Sequence, residues 1–501
     1  MEVFLLLLVV ITFGFFLRAR NMNNILPPGP LAIPFVGHLH LLLKGHPHVV
    51  LKALAEKYGP VLFLRFGVVP VVVVSSSQSA VEFLKVQDKV FTSRPRFLSA
   101  GRLLLGFDGE DMVFAPYGMR WKQLRRLCTT KLFTARNFAD VRMSEVRSLV
   151  RAIQAFGEAS PNSALDLRTK FKHLTFNIIT RMLMSKRYFE GDTTDAKEAE
   201  EFIYLMEESF SLAGAFPVSD YLPYSFVKWL NMNQDDRIKT LSVRSRQFVD
   251  KIITEHELRS PTCSDDFLGL LLKLRSTEDV LQRNTIRGLM INLLQAATDT
   301  SSVSLEWTLA ELINHPACMS MVQDEIASVV GSNRMVEERD ISKLPYLQAI
   351  VKESLRLHPP GPLLLPRECS KTCEVMGYKI PEATTLMVNA YAIGRDPKVW
   401  KEPLKFKPER FLDYSCFDVG GNNLDVIPFG AGSRACPGIS IAFSILHLAL
   451  ANLVHAFHWT LPAEVVHVDT SSEKYGLTVT LAKKLEAIPL CKIDTIVCGT
   501  E

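Results

Sequence analysis

The sequence has no Pro-, Ser- or Gly-rich linker, no block of like charge and no internal repeat of the kind that builds solenoids. These absences favour one large folded body over a string of small domains. Its 9 cysteines are widely scattered and include no Cys-x-x-Cys pair. An odd, dispersed set argues against a secreted disulfide scaffold and predicts reduced thiols in a cytosol-facing protein.

Motifs for nucleotide binding and for hydrolysis are also missing. Neither a phosphate-binding Gly-rich loop nor a Gly-x-Ser-x-Gly elbow occurs, so a nucleotide site or an α/β-hydrolase nucleophile is not expected in this chain. The formal net charge is only +4, and the Lys and Arg residues are interspersed with acids. We therefore expect no nucleic-acid partner.

One long apolar run opens the chain, from Met1 to Leu17, and Arg18 and Arg20 follow it. Positive residues after the run, with none before it, predict a signal-anchor whose downstream chain stays cytosolic. The run is short for a full span and suits the thin endoplasmic reticulum membrane. A cleaved leader is the alternative. Residues 1–20 are assigned to the anchor and 21–34 to a Pro-rich hinge.

The remaining residues, 35–501, are predicted to form a mainly α domain with small β-sheets. Two β-branched runs at 61–66 and 69–74 predict a hairpin, and helical periodicity dominates from about 78 to 355. Strand-like usage returns at 375–390, and a helix is expected from about 438 to 456.

The segment 429–438, FGAGSRACPG, has the composition of a rigid ligand loop. Pro437 favours the first position of a helix, so Cys436 is expected at a helix N-terminus, where the dipole lowers a thiol pKa. Gly432 can supply a tight turn, and Gly438 permits a close backbone approach to a ligand. A Gly-rich surface turn with a buried cysteine is the alternative.

This segment resembles the haem-binding loop of the cytochrome P450 family, Phe-x-x-Gly-x-Arg-x-Cys-x-Gly, at every specified position. The resemblance covers the whole chain and is strongest to plant microsomal members. It implies the family's fold, haem b as cofactor and Cys436 as the axial ligand of the iron. It also implies that Phe429 screens the sulfur and that Arg434 and Gly432, with Gly438, hold the haem.

Further motifs occur in the family's order. Trp121 and Arg125 share a helix face by their spacing of four, and the resemblance places both at the haem propionates, together with Arg367. Glu353 and Arg356 also share a helix face. With Arg410 they are implied to form a buried ionic triad that holds the loop bearing Cys436.

The segment Ala296-Ala297-Thr298-Asp299-Thr300-Ser301 places four polar residues of low helix propensity within the apolar run 286–313. The resemblance implies that the helix widens here beside the iron. It also implies that Asp299 and Thr300 deliver protons for the reaction with dioxygen. Ala297 replaces the glycine that is usual in this motif.

Substrate-facing positions implied by the resemblance are largely apolar and predict a neutral hydrophobic substrate, with a phenylpropanoid or flavonoid as the plant-like choice. They are Phe97, Leu104, Phe107, Leu293, Ala296, Leu364 and Leu477. Since the chain lacks a nucleotide motif, electrons from NADPH are expected through a partner flavoprotein, the cytochrome P450 reductase. Helix 119–131 offers basic residues for its docking, and a monomer is expected.

Three alternatives stay open at this point. The same scaffold could rearrange or dehydrate a substrate without dioxygen, although such members tend to lose the alcohol that Thr300 supplies. It could be a non-catalytic haem-thiolate sensor, which would not need the pair Asp299 and Thr300. A helical membrane scaffold without haem is the third.

Overall fold

Helices make up most of the described residues, in agreement with the predicted mainly α class. The computed structural model describes residues 25–95, 111–133, 138–190, 194–222, 232–258, 266–275, 281–412 and 424–492. The α-helices are α1 (Pro47–Tyr58), α2 (Ser77–Val81), α3 (Met119–Leu127), α4 (Ala139–Ala159), α5 (Leu167–Met184), α6 (Thr194–Gly214), α7 (Val218–Tyr221), α8 (Met232–Leu258), α9 (Phe267–Leu274), α10 (Arg283–Asn314), α11 (Pro316–Val330), α12 (Pro345–Leu357), α13 (Ala390–Ile393) and α14 (Ile439–Ala456).

The strands form small sheets at the periphery of the helices. They are β1 (Val61–Phe66), β2 (Val69–Val74), β3 (Leu165–Asp166), β4 (Arg367–Glu368), β5 (Cys373–Val375), β6 (Tyr378–Ile380), β7 (Thr385–Val388), β8 (Phe457–Thr460), β9 (Glu473–Lys474), β10 (Thr480–Leu481) and β11 (Glu486–Cys491). The predicted hairpin is confirmed, since β1 and β2 pair antiparallel. β2 also pairs in parallel with β7, which gives the sheet order β1-β2-β7-β4. A second sheet has the order β3-β11-β8.

Helix α10 runs through the main core, with α5, α8, α11, α12 and α14 packed around it. It is buried on most of its surface, as expected of a helix that other helices surround. The expected widening is not found, because α10 is continuous through residues 296–301. The Thr300, Ser304 and Thr308 hydroxyls each donate to the carbonyl four residues earlier, at 2.7, 2.8 and 2.6 Å. These bonds satisfy the polar groups within the helix itself.

The Pro-rich segment after the proposed anchor is attached to the folded body. The Phe63 N–H of β1 donates to the Pro28 carbonyl at 3.0 Å, and a Cβ on Gly29 would lie 2.3 Å from the Phe63 carbonyl oxygen. The body therefore includes part of the predicted hinge. The anchor itself, residues 1–20, lies outside the described residues. Among those described, α14 is apolar and long enough to cross a membrane, but most of it is buried in the core.

Candidate active site

A short loop carries Cys436 to the N-terminus of α14. A 3₁₀ turn at Gly432–Arg434 precedes it, and the Cys436 N–H donates to the Phe429 carbonyl at 2.9 Å. Gly438 is the N-cap of α14, so Pro437 lies before the helix. The expectation that Pro437 occupies the first helical position is wrong, because α14 begins at Ile439, two residues later.

In the polypeptide without a bound metal, burial has the largest effect on the ionisation of the Cys436 thiol. Burial raises the pKa of Cys436, while a hydrogen bond from the Gly438 backbone and the charge of Arg125 oppose that rise only in part. Desolvation thus opposes the lowering of the pKa that the helix terminus is expected to cause. A metal cation bound to the sulfur would reverse the balance, because coordination deprotonates a thiol.

Gly432 is required by the close packing of the loop. Its φ is +68°, and a Cβ would lie 2.2 Å from the Leu84 carbonyl oxygen and 2.3 Å from Asp88 Oδ1. Asp88 accepts hydrogen bonds from the Ser433 N–H at 3.0 Å and from Arg367 at 3.3 Å. This carboxylate thus joins the cysteine loop to β4. No motif marked Asp88 in the sequence.

Buried arginines gather beside the loop, and they carry more positive charge than the protein neutralises locally. Burial, with repulsion from neighbouring guanidinium groups, lowers the pKa of Arg434 to about 9 and that of Arg94 well below its usual range. Burial also lowers the pKa of Arg367 to about 10, although Asp88 opposes this shift. A ligand with two carboxylates would relieve the repulsion, so the cluster fits the haem propionates. Sequence motifs did not identify Arg94.

Trp121 lies at the same cluster but uses its N–H differently from the expectation. The indole N–H donates to the Met112 carbonyl at 3.1 Å instead of remaining free for a propionate. Its ring instead contacts cations, with the guanidinium carbon of Arg434 4.3 Å and that of Arg125 5.6 Å from the ring centroid. The structure therefore places Trp121 beneath the arginines, as a cation–π partner.

Two predicted proton donors on α10 engage different partners. Thr300 donates to the Ala296 carbonyl, and Ala296 is exposed although it lies in the middle of a buried helix. Asp299 is buried, and its Oδ2 accepts a hydrogen bond from the Thr478 hydroxyl at 2.5 Å. Burial raises the pKa of Asp299, which favours the neutral acid, although Thr478 and the charges of Lys172 and Arg168 oppose the shift.

An apolar pocket opens between the end of α6, the segment 362–366 and the loop before β10. Leu364 and Leu477, two of the expected substrate residues, line it. Leu293 is buried and Ala296 is exposed on α10, and neither belongs to this lining. Phe97, Leu104 and Phe107 lie outside the described residues. The rest of the lining is mainly apolar and includes four aromatic residues, Phe114, Phe216, Tyr221 and Tyr475.

The structure brings Glu353, Arg356 and Arg410 together in the interior. Arg356 binds both carboxylate oxygens of Glu353, at 2.7 and 2.8 Å, and Arg410 Nε donates to Glu353 Oε1 at 3.0 Å. The Glu353 and Arg356 side chains are fully buried. The remaining guanidinium N–H groups reach main-chain carbonyls of the segment 394–405. The buried charges are thus paired, and the same arginines hold the segment 394–405 in place.

Comparisons with known proteins agree with these features. The family model described as Cytochrome P450 matches residues 27–487. The chain is 38% identical to a flavonoid 3'-monooxygenase of Petunia hybrida, over 99% of each chain. It is 37% identical to a flavonoid 3',5'-hydroxylase of Campanula medium, over 96% of this chain and 94% of that one. A solved zebra fish cytochrome P450 with progesterone is similar in fold, with a TM-score of 0.77 and 26% identity, over 88% of this chain and 99% of that chain.

Proposed function

The chain belongs to the cytochrome P450 family, and from this premise we propose that it hydroxylates a flavonoid or a closely related phenylpropanoid. Membership makes it a haem-containing monooxygenase that uses dioxygen and receives NADPH electrons from a partner reductase. The observation that carries the substrate proposal is the largely apolar pocket lining, in which aliphatic side chains and four aromatic rings suit a hydrophobic molecule that contains aromatic rings. The flavonoid-hydroxylating relatives support the same choice.

The substrate proposal is tested with the full chain in lipid nanodiscs, with a plant cytochrome P450 reductase and NADPH. A flavone and a flavanone, each with one hydroxyl on the B ring, are compared with a sesquiterpene of similar size under isotopically labelled dioxygen. We expect the flavonoids to gain one labelled oxygen atom and the sesquiterpene to stay unchanged. Oxidation of the sesquiterpene alone would reject the flavonoid proposal and leave the family assignment intact.

Haem, when bound, supplies reductive activation of dioxygen, and the donor set described above is suited to hold it. We assign the iron to the sulfur of Cys436, with Phe429 packed beside the loop and Gly438 at the end of it. The propionates are assigned to Arg434, Arg367, Arg94 and Arg125. Because α14, the close packing of Gly432 and the hydrogen bond from Ser433 to Asp88 hold the loop, the position of the sulfur is set by the fold.

We assign proton delivery to two residues of α10, Asp299 and Thr300. Burial raises the pKa of Asp299, which favours the protonated carboxyl, and Thr300 lies on the same helix face as the exposed Ala296. The Thr300 hydroxyl can transfer a proton by exchanging its bond to the Ala296 carbonyl for one to a substrate-side acceptor.

Replacing Thr300 with Ala is expected to uncouple the reaction. NADPH should still be consumed, but most of the electrons should appear as hydrogen peroxide, because timely protonation is lost. Thr300→Ser retains a hydroxyl and should recover most of the coupling. The measurement is product and peroxide formed per NADPH. Tight coupling in Thr300→Ala would remove this residue from the proton path.

We further propose that the protein is a monomer held in the endoplasmic reticulum membrane by residues 1–20, with its catalytic domain in the cytosol. The basic residues of the predicted helix 119–131, within α3 and the turn after it, are proposed to receive the reductase. Lys122 and Arg126 are both exposed there. Among the earlier alternatives, a dioxygen-independent rearrangement is disfavoured by the retained Thr300, and a sensor or a haem-free scaffold by relatives named as monooxygenases.

A further inference from the structure

A buried hydrogen bond links the proposed proton donor to the loop that lines the pocket. Thr478 lies in the short loop 475–479 between β9 and β10, and its hydroxyl donates to Asp299 Oδ2 at 2.5 Å. The preceding residue, Leu477, lines the pocket. Neighbouring positions of one loop therefore contact the substrate pocket and the acid on α10. Thr478 belongs to none of the sequence motifs.

The loop is held from several sides, so the hydroxyl of Thr478 has a defined position. The Leu477 N–H donates to the Phe210 carbonyl of α6 at 2.8 Å, and the Val479 N–H donates to the Pro360 carbonyl at 2.9 Å. The Trp307 indole N–H of α10 donates to the Val479 carbonyl at 3.0 Å. These bonds on both sides of residue 478 tie the loop to the two helices that it bridges.

The carboxyl group of Asp299 depends on this contact for its orientation. Asp299 is 5% and Thr478 is 8% exposed, so water has little access to replace a lost donor. The charged groups that act on Asp299 are Lys172 and Arg168 of α5, but each has its own carboxylate partner, Glu207 and Glu306 respectively. Within the described residues, the Thr478 hydroxyl donates to this carboxyl and fixes one of its two oxygens.

We propose that Thr478 is a positioning residue for Asp299, which orients the carboxyl for proton delivery and connects that orientation to the pocket through Leu477. The inference rests on the proposed role of Asp299 in the reaction. A fixed Oδ2 leaves Oδ1 in one orientation relative to α10. Without the hydroxyl, the carboxyl samples several orientations, and fewer of them are productive.

The kinetic test compares Thr478→Val, which keeps the shape but removes the hydroxyl, with Thr478→Ser, which keeps the hydroxyl. Thr478→Val should lower product formed per NADPH at least threefold and change the solvent deuterium isotope effect on kcat, with KM for the flavone altered less than twofold. Thr478→Ser should restore coupling to within twofold of the unaltered protein. Thr480→Val, in β10 of the same hairpin, is the matched control and should leave coupling unchanged.

A second measurement needs no turnover. In the substrate-free haem protein, infrared spectroscopy should show a carboxylic C=O band that disappears in Asp299→Asn and moves to higher wavenumber in Thr478→Val. An unmoved band, or coupling equal to that of the unaltered protein, would overturn the proposal. A change in KM alone would make Thr478 a substrate contact instead. If no flavonoid is oxidised by the unaltered protein, the substrate proposal fails, while the infrared result still decides the role of Thr478.

Discussion

Cys436→Ala is expected to remove the red-shifted Soret band of the reduced, carbon monoxide-bound protein and to reduce product formation to background. The sulfur is the one group of the loop that can donate electron density to the iron as an anion, and this donation favours cleavage of the O–O bond. Alanine keeps the loop small enough to fold around Gly432 and Gly438. The measurements are the carbon monoxide difference spectrum and flavonoid turnover.

Two further variants make this result interpretable. Cys318→Ala changes a half-buried cysteine on α11 and should keep both the band and the activity. Cys436→His offers nitrogen in place of sulfur and should bind haem with the band at the position of nitrogen-ligated proteins. If Cys436→Ala retained the red-shifted band, the assignment of the iron ligand would be wrong.

The second large effect is expected on stability, from Glu353→Gln. Glu353 is the shared partner of two arginines, and its side chain and that of Arg356 are fully buried. Removing the negative charge leaves both cations unbalanced in a desolvated site, at a cost of about 3–5 kcal/mol. We expect a lower midpoint of thermal inactivation and a lower yield of haem-loaded protein, both read from the carbon monoxide spectrum.

Two control variants distinguish the loss of the buried ion pairs from the loss of any one negative charge. Glu374→Gln, at an exposed position of β5, should leave the thermal midpoint unchanged. Glu353→Asp keeps the charge on a shorter side chain and should be less damaging than Glu353→Gln. Equal stability of Glu353→Gln and the unaltered protein would show that the triad contributes no net pairing energy.

Local pattern was sufficient for several elements of the fold. The two β-branched runs at 61–66 and 69–74 predicted the hairpin of β1 and β2, and the predicted helix at 438–456 is found as Ile439–Ala456. The pairing of β2 with β7 could not be read from the sequence, because the two strands are distant and carry no signal that names the partner. Periodicity reports the face that a strand buries and not the strand beside it.

In the candidate site, too, local spacing predicted some residues, whereas contacts between distant segments could not be predicted. Residues in spaced motifs, such as Glu353 and Arg356, could be proposed as neighbours because a spacing of three defines a helix face. Arg94, Asp88 and Thr478 reach the site through tertiary contacts between distant segments, and no local pattern marks them. The effect of burial on the pKa of Cys436 could not be read from the sequence for a related reason, since burial is a property of the assembled fold.

The parallel pairing of β2 with β7 has a consequence for biosynthesis. Val74 pairs with Val388, so the native neighbour of the apolar strand β2 leaves the ribosome about 300 residues later, roughly 15 to 60 s at typical elongation rates. During that interval one edge of a valine-rich strand lacks its native partner and is open to association with other nascent chains. Chaperones that cover this edge during translation should therefore raise the yield of the folded protein.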